Sequence, residues 1–175
     1  LFGEYLVVIL TMTAGMCFVA TSTDVLMMFL ALEWVSLSSY LLTAFIAHKR
    51  SSSEAGIKYT LFGGIASAVM LFGISSLFGV TGTLKFEELP AMISGVNKVP
   101  ALFSLILILM GFAFKVAAVP LHFWAPDVYQ AAPTPVSAFF SIGPKAAGFA
   151  VLIRFYYYTF FLTPENVALV GHLKH

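Results

Sequence analysis

Long apolar segments alternate with short polar stretches along the whole chain. About 20 apolar residues cross the hydrocarbon core of a bilayer, and each of these segments is long enough to do so. The pattern predicts an all-α membrane protein with a single helical bundle over residues 1–163 and a polar tail over 164–175. The five predicted transmembrane helices cover roughly residues 2–20, 24–47, 55–80, 101–119 and 134–162.

Prolines interrupt the chain between the fourth and fifth predicted helices. Proline removes a backbone hydrogen bond, and its ring clashes with the preceding turn of a helix. We therefore expect the fourth helix to lose regular hydrogen bonding between Lys115 and Leu121, and a short re-entrant piece to follow. Such backbone is tolerated at membrane depth only where protein or a water-filled cavity covers it. An interfacial loop with an aromatic anchor is the alternative. The prolines are Pro120, Pro126, Pro133 and Pro135.

The composition supports the assignment to the membrane. Hydrophobic residues make up 60% of the chain and charged residues 10%, against about a quarter charged in an ordinary soluble domain. The mean hydropathy is +0.96. A net charge of +1 leaves no basic surface to attract a nucleic acid. The lipid bilayer is therefore an expected partner, and nucleic acid is not.

The cysteine and histidine content limits the kinds of site that the chain could build. Cys17 is the only cysteine, which excludes a disulfide framework and any thiolate-ligated iron–sulfur cluster or zinc site supplied by this chain alone. His172 and His175 in the tail lack the spacing of a metal site. The chain begins at Leu1 without a charged n-region or cleavage site, so we expect a piece of a longer polypeptide with no signal peptide.

The loop between the second and third helices carries Lys49 and Arg50. Cytoplasmic loops of membrane proteins are enriched in lysine and arginine, so this loop is predicted to face the cytoplasm or its equivalent. The linker between the third and fourth helices then lies outside, although Lys85 and Lys98 on that linker weaken the bias.

Glu33 and Lys115 lie at depths where a charge is costly. At the helical rise, Glu33 is about 13 Å and Lys115 about 21 Å from the outer ends of their helices. The lysine stem can span most of this difference, so the opposite charges predict a buried Glu33–Lys115 pair. The pair could serve proton transfer, or it could be a purely structural salt bridge, in which desolvation can exceed the Coulomb gain.

Two further lysines fall within predicted helices. Lys145 lies near mid-depth directly after Pro144, and its own helix has no acidic residue that could form an ion pair with it. A lone buried lysine holds its proton less tightly, which suits a proton relay; a carboxylate on a partner chain is the alternative. Lys58 is closer to the cytoplasmic end of the third helix, where snorkelling to the interface also explains it.

His122 lies beside the predicted break, and its ordinary pKa near neutrality would let it pass a proton. A hydrogen bond that fixes the loop is the alternative for His122. Small residues of the third helix, including Gly63, Gly64 and Ser67, are interpreted as packing residues.

Several segments together resemble one protein family. The segments are ALEWVSLSSYLL, SSSEAGIKYTLFGG and GFAFKVAAVPLHFWAPDVYQAAPTPVSAFFS, followed by GPKAAGFAVLIRF. They are similar to the antiporter-like membrane subunits of respiratory complex I, most closely to the subunit N family of the NADH–quinone oxidoreductase. The resemblance extends to about Phe161.

The resemblance implies a larger subunit of about fourteen helices with two inverted five-helix repeats, a known transporter plan. This chain would form the first repeat. The family's proton-transfer residues match Glu33, Lys58, Lys115 and Lys145, and His122 is a further candidate. Proton translocation would be driven by quinone reduction elsewhere in the complex. FMN, iron–sulfur clusters and quinone would belong to other subunits, with no redox centre in this chain.

The implied partners are the other membrane subunits of complex I, in a bacterial plasma membrane or an organellar inner membrane. Two other classes remain open. One is a subunit of a multi-subunit cation/proton antiporter or of a membrane-bound hydrogenase, both of which use related subunits. The other is an inert membrane scaffold with buried ion pairs. The sequence does not distinguish H⁺ from Na⁺ as the transported ion.

Overall fold

The structure, a computed structural model, describes residues 2–46 and 49–161, with side chains as far as Thr159. The predicted tail over 164–175, with His172 and His175, lies outside the described residues. The helices are α1 (Phe2–Thr21), α2 (Val25–Thr43), α3 (Arg50–Thr81), α4 (Leu89–Gly95), α5 (Lys98–Lys115), α6 (Ala125–Ala131) and α7 (Thr134–Tyr156), which continues as a π-helical turn over Tyr157–Phe161.

Within the described residues, five helices are long and apolar enough to cross a membrane: α1, α2, α3, α5 and α7. The strand-like pairing in this part of the chain is one isolated bridge between Asp24 and Lys85. The predicted fold class, an all-α membrane protein with five transmembrane helices of which one is interrupted, is confirmed. The short helices α4 and α6 lie between the spanning ones.

Some helix bounds differ from the predicted ones because polar side chains support extra turns. α3 begins at Arg50 rather than near 55, since the buried Ser52 hydroxyl donates to the Thr43 carbonyl at 2.6 Å and anchors the serine-rich stretch against α2. α5 begins before residue 101, where the Asn97 side chain accepts from the Val99 N–H at 3.1 Å. An N-cap of this kind satisfies a helix donor that would otherwise have no partner.

Glycines bring α3 and α5 into close contact. A Cβ at Gly73 would lie 2.8 Å from the Leu107 Cβ and 2.9 Å from the Ser104 carbonyl oxygen. A Cβ at Gly111 would lie 2.5 Å from the Met70 Cβ. Small residues allow transmembrane backbones to approach in this way. The close approach fixes the height of α5, and therefore of Lys115, against α3.

The polar connections cluster at two ends of the bundle. At one end, the Val25 N–H donates to the Leu84 carbonyl at 2.9 Å, and the Arg154 guanidinium donates to the Ala20 carbonyl at 2.6 Å. The α1–α2 turn, the α3–α4 linker and the end of α7 therefore meet there, as the predicted order of crossings requires. Lys58 lies toward the opposite end. The assignment of that end to the cytoplasm stays a prediction.

The interruption of α5 lies where the prolines predicted it. Regular helix ends at Lys115, the backbone turns through Ala117 with a φ of 57°, and the Val119–Pro120 peptide is cis. The break frees carbonyls at the end of α5. The Phe114 carbonyl at this end accepts two hydrogen bonds, from the Ala117 N–H at 3.0 Å and from the Trp124 indole N–H at 3.1 Å. Trp124 is buried, so this tryptophan closes the break inside the bundle rather than anchoring an interfacial loop.

Candidate functional site

The predicted Glu33–Lys115 pair is formed. The Lys115 Nζ lies 2.7 Å from Glu33 Oε1, and the two side chains are 9% and 23% exposed. Lys115 Nζ also donates to the hydroxyls of Ser36 at 2.6 Å and Ser67 at 3.1 Å. An ammonium group has three N–H donors, so each of the three has an acceptor here. A buried charge needs such satisfaction to offset its loss of water.

Three helices position the pair. Glu33 and Ser36 are one turn apart on the same face of α2, and Ser67 of α3 donates to Glu33 Oε1 at 2.5 Å. Lys115 is the last residue of α5. The C-terminal end of a helix carries partial negative charge, which favours a cation there. The interruption of α5 therefore places an ammonium group at a helix end inside the bundle.

A small cavity lies between Lys115 and Lys145. Its volume is about 20 Å³, and one water needs a cavity of roughly 10–15 Å³ by this measure and several polar partners. Hydroxyl groups and the Lys145 ammonium in the lining supply such partners. The cavity therefore has the size and chemistry for a water between the two lysines. Its lining residues are Ser39, Tyr59, Lys115, Trp124, Tyr129, Phe140, Pro144 and Lys145.

Lys145 is half-buried in α7 and, within the described part of the chain, has no ion-pair partner. Its Nζ lies 5.3 Å from the centroid of the Tyr129 ring, inside the roughly 6 Å range of a cation–π contact. A carboxylate on a partner chain stays the alternative prediction. Lys145 and the Tyr129 ring thus line the same cavity.

Lys58 lies outside this buried group. Its Nζ pairs with Glu54 at 2.9 Å and with Asp127 of α6 at 3.2 Å, and its side chain is 47% exposed. Because α3 begins at Arg50, Lys58 is about two turns into the helix rather than in its first turn. A cavity of about 320 Å³ opens beside it, lined by Lys49, Ser51, Glu54, Ala55, Lys58, Asp127, Gln130 and Ala131.

His122 lies in the turn segment between α5 and α6, and its side chain is exposed. Its backbone carbonyl accepts from the Ala125 N–H at 3.0 Å at the start of α6. Within the described residues, no hydrogen bond joins its imidazole to Lys115 or Lys145. The structure therefore brings Glu33, Lys115 and Lys145 together and leaves Lys58 and His122 apart from them.

Several polar residues of the site were not predicted. Ser67, interpreted as a packing residue, instead bridges Glu33 and Lys115. Ser36 could have been found from its spacing, since it follows Glu33 by one helical turn. The positions of Tyr129 at the site, and of Asp127 beside Lys58, could not be predicted, because they depend on how α6 folds back after the break.

The described residues contain few side chains that ligate metals. Within this part of the chain, no group of three or more His, Cys, Asp or Glu side chains is arranged to hold a metal ion. Cys17 is exposed on α1. The residues of the buried site are a carboxylate, two ammonium groups, hydroxyls and aromatic rings. Such groups can hold and pass a proton, and they do not form a ligand set for an iron–sulfur cluster.

Known proteins are similar to this chain in sequence and in fold. NADH-quinone oxidoreductase subunit N 2 of Chloroherpeton thalassium is 46% identical over 156 residues, which cover 88% of this chain and 30% of that protein. Respiratory complex I from Thermus thermophilus with bound aureothin contains a chain with a TM-score of 0.78 and 36% identity, covering 97% of this chain and 37% of that one. The membrane-bound sulfane sulfur reductase, an archaeal respiratory membrane complex, gives a TM-score of 0.80 at 31% identity, covering 98% of this chain and 34% of that one.

These proteins are subunits of multi-subunit membrane complexes, and this chain spans about 30% of the length of the curated relatives that it matches. The resemblance to the subunit N family is confirmed, and with five spanning helices the chain is an integral, multi-pass membrane protein. The family described as NADH:quinone oxidoreductase/Mrp antiporter, TM, matches residues 22–171. The chain therefore belongs to the NADH:quinone oxidoreductase/Mrp antiporter transmembrane family.

Proposed function

We propose that this chain forms part of a proton-translocating membrane subunit of an NADH–quinone oxidoreductase. One observation carries the proposal: a largely buried Glu33–Lys115 pair, in which every ammonium donor has an acceptor, lies at the break of α5, and a water-sized cavity adjoins both Lys115 and Lys145. An inert scaffold gains nothing from such an arrangement, because apolar residues would fill the same space without desolvating two charges.

The Glu33 carboxylate stabilises the charged form of Lys115. If quinone reduction elsewhere in the complex draws Glu33 away, that stabilisation is lost and the Lys115 ammonium releases its proton more readily. A water in the adjoining cavity would then carry the proton between Lys115 and Lys145. Ser36 and Ser67 keep accepting from Lys115 while Glu33 moves, so the lysine stays in place.

Lys58 and His122 have separate roles in this proposal. Lys58 holds α3 to α6 through Asp127 beside the open cavity of about 320 Å³, and it takes part in proton entry there. His122 is exposed beside the break, where its imidazole is accessible to water. Both residues lie outside the Glu33–Lys115 pair, so replacing either of them should reduce proton uptake less than replacing Lys115.

The redox reaction belongs to other subunits in this proposal. FMN, iron–sulfur clusters and quinone would bind there, and this chain would supply proton-transfer groups only. Its direct partners would be neighbouring membrane subunits of the complex. The structural likeness to a sulfane sulfur reductase and the inclusion of Mrp antiporters in the family support a second candidate, a subunit of a related ion-translocating complex.

Alanine substitutions of the lysines test the proposal in the assembled complex that contains the full-length subunit. Lys115→Ala and Lys145→Ala should each reduce NADH-driven proton uptake by inverted vesicles by about 10-fold or more, as expected for loss of a positioned proton-transfer group. Lys58→Ala should be milder. Lys98→Ala is the control, because Lys98 is the exposed first residue of the same helix as Lys115.

Proton uptake is normalised to the amount of complex assembled, so a folding defect is separated from a transfer defect. Wild-type uptake in both Lys115→Ala and Lys145→Ala would leave only the structural role and refute proton translocation through this site. An equal loss in Lys98→Ala would show that the assay responds to any lost lysine of α5, and would remove the support for Lys115.

A further inference from the structure

Proline at position 144 changes the hydrogen bonding of α7 directly before Lys145. Pro144 has no N–H, so the carbonyl four residues earlier, that of Phe140, loses its helical donor. The Tyr129 hydroxyl donates to this carbonyl at 3.3 Å. A side chain of α6 therefore satisfies the group that the proline leaves open in α7.

The same hydrogen bond fixes the Tyr129 ring. A second bond holds the backbone of the same residue, since the Ser137 hydroxyl donates to the Tyr129 carbonyl at 3.0 Å. Tyr129 is thus tied to α7 at both ends of the residue. The ring is held 5.3 Å from the Lys145 Nζ, in a position that does not depend on the lysine.

No carboxylate competes with the ring for Lys145 within the described residues. The titratable groups around the adjoining cavity are Lys115 of α5, Tyr59 of α3 and Tyr129 of α6, while α2 contributes the Ser39 hydroxyl. The other charge across the cavity has the same sign. An aromatic face attracts a cation without neutralising it, so the ring stabilises the ammonium while leaving its proton transferable.

We infer that Tyr129 is a positioning residue for the proposed proton transfer: its ring face holds the charged Lys145 beside the cavity that leads to Lys115. This inference rests on the proposed function. The ring lines this cavity too, so the charged lysine is held where it can exchange its proton with a water. Pro144 contributes because it leaves the Phe140 carbonyl without a helical donor, and this carbonyl accepts the hydrogen bond that orients the ring.

A graded series of rings tests this role in the full-length subunit of the intact complex. Position 129 is changed to phenylalanine and to phenylalanines carrying one, two and three ring fluorines. Fluorine withdraws electron density from the ring face with little change of shape, so the attraction for a cation weakens stepwise. All members of the series lack the hydroxyl and its bond to the Phe140 carbonyl, so they differ from one another only in the ring. Tyr129→Phe compared with the wild type measures what that bond contributes. Tyr129→Leu removes the ring altogether.

Proton uptake per NADH oxidised should fall progressively with each fluorine. The loss in Tyr129→Leu relative to Tyr129→Phe should be between about 2-fold and about 30-fold, the range of a cation–π contact. The same fluorinated residues at Phe72, an exposed position of α3, are the control for incorporation. The amount of assembled complex is measured for every variant.

Equal proton uptake across the fluorine series, or equal uptake in Tyr129→Leu and Tyr129→Phe, would overturn the role of Tyr129. Lys145→Ala, measured in parallel, separates this result from a failure of the proposed function. A loss in Lys145→Ala with a flat fluorine series removes only the tyrosine role. Wild-type uptake in Lys145→Ala removes proton transfer at Lys145, and the inference about Tyr129 with it.

Discussion

At the scale of single residues, the ammonium of Lys115 is the centre of the site because all three of its donors are used. The charges of Glu33 and Lys115 and their similar depths were sufficient to predict their pairing. The contributions of Ser36 and Ser67 were not predictable, because a serine in a transmembrane helix commonly donates to a carbonyl of its own helix. Ser36 does so, to Leu32 at 2.8 Å, and still accepts from Lys115.

Replacement of Lys115 by arginine separates charge from proton transfer. A guanidinium stays protonated, so Lys115→Arg can keep an ion pair with Glu33 but cannot cycle its proton. We expect the complex to assemble at close to the wild-type level and proton uptake per NADH oxidised to fall nearly as far as in Lys115→Ala. Recovery of wild-type uptake in Lys115→Arg would mean that a fixed positive charge is sufficient at this position.

At the scale of helices, the interruption of α5 was predictable, and the contact that Trp124 makes at the interruption was not. Pro120 and the prolines after it predict a break, because proline cannot donate a helical hydrogen bond. The hydrogen bond from Trp124 to the Phe114 carbonyl depends on how the start of α6 packs against α3, where Trp124 stacks on Tyr59 at 4.4 Å between ring centroids. A contact between residues so distant in sequence leaves no local pattern to read.

Close packing of α3 on α5 holds the broken helix at its height, and Gly73 is the position that tests it. The Cβ of alanine at Gly73 would press on the Ser104 carbonyl and the Leu107 Cβ, and overpacking of this kind costs about 1–3 kcal/mol. Gly73→Ala should therefore lower the thermal stability and the amount of assembled complex, measured by native gel and by melting of the purified complex.

Gly79→Ala, on the same helix, is the matched control for Gly73→Ala. A Cβ at Gly79 meets no atom within 4 Å, and alanine in a helix is more favourable than glycine by about 1 kcal/mol. This variant should be as stable as the wild type or slightly more stable. Equal destabilisation by both alanines would show that α3 tolerates no added methyl group, and that the contact at Gly73 has no special role.

At the scale of the whole molecule, the chain resembles one part of a larger subunit, since it spans about 30% of its curated relatives. Charge at both ends of the bundle and the order of crossings were readable from sequence, because both follow from the positions of polar residues along the chain. The identity of the partner complex does not follow from these positions. The same fold occurs in respiratory complex I and in a sulfane sulfur reductase, so the helices alone do not decide between them.

Co-purification decides which complex contains this chain. An affinity tag on the full-length subunit should recover flavin and iron–sulfur proteins if the partner is an NADH–quinone oxidoreductase, because this subunit would supply none of the redox groups itself. The purified material should show FMN fluorescence after acid release, iron–sulfur signals by electron paramagnetic resonance, and NADH oxidation with a quinone acceptor. A multi-subunit cation/proton antiporter would give none of these three and would instead exchange cations for protons in vesicles. Recovery of such an antiporter would assign the Glu33–Lys115 pair to ion exchange that is not driven by a redox reaction.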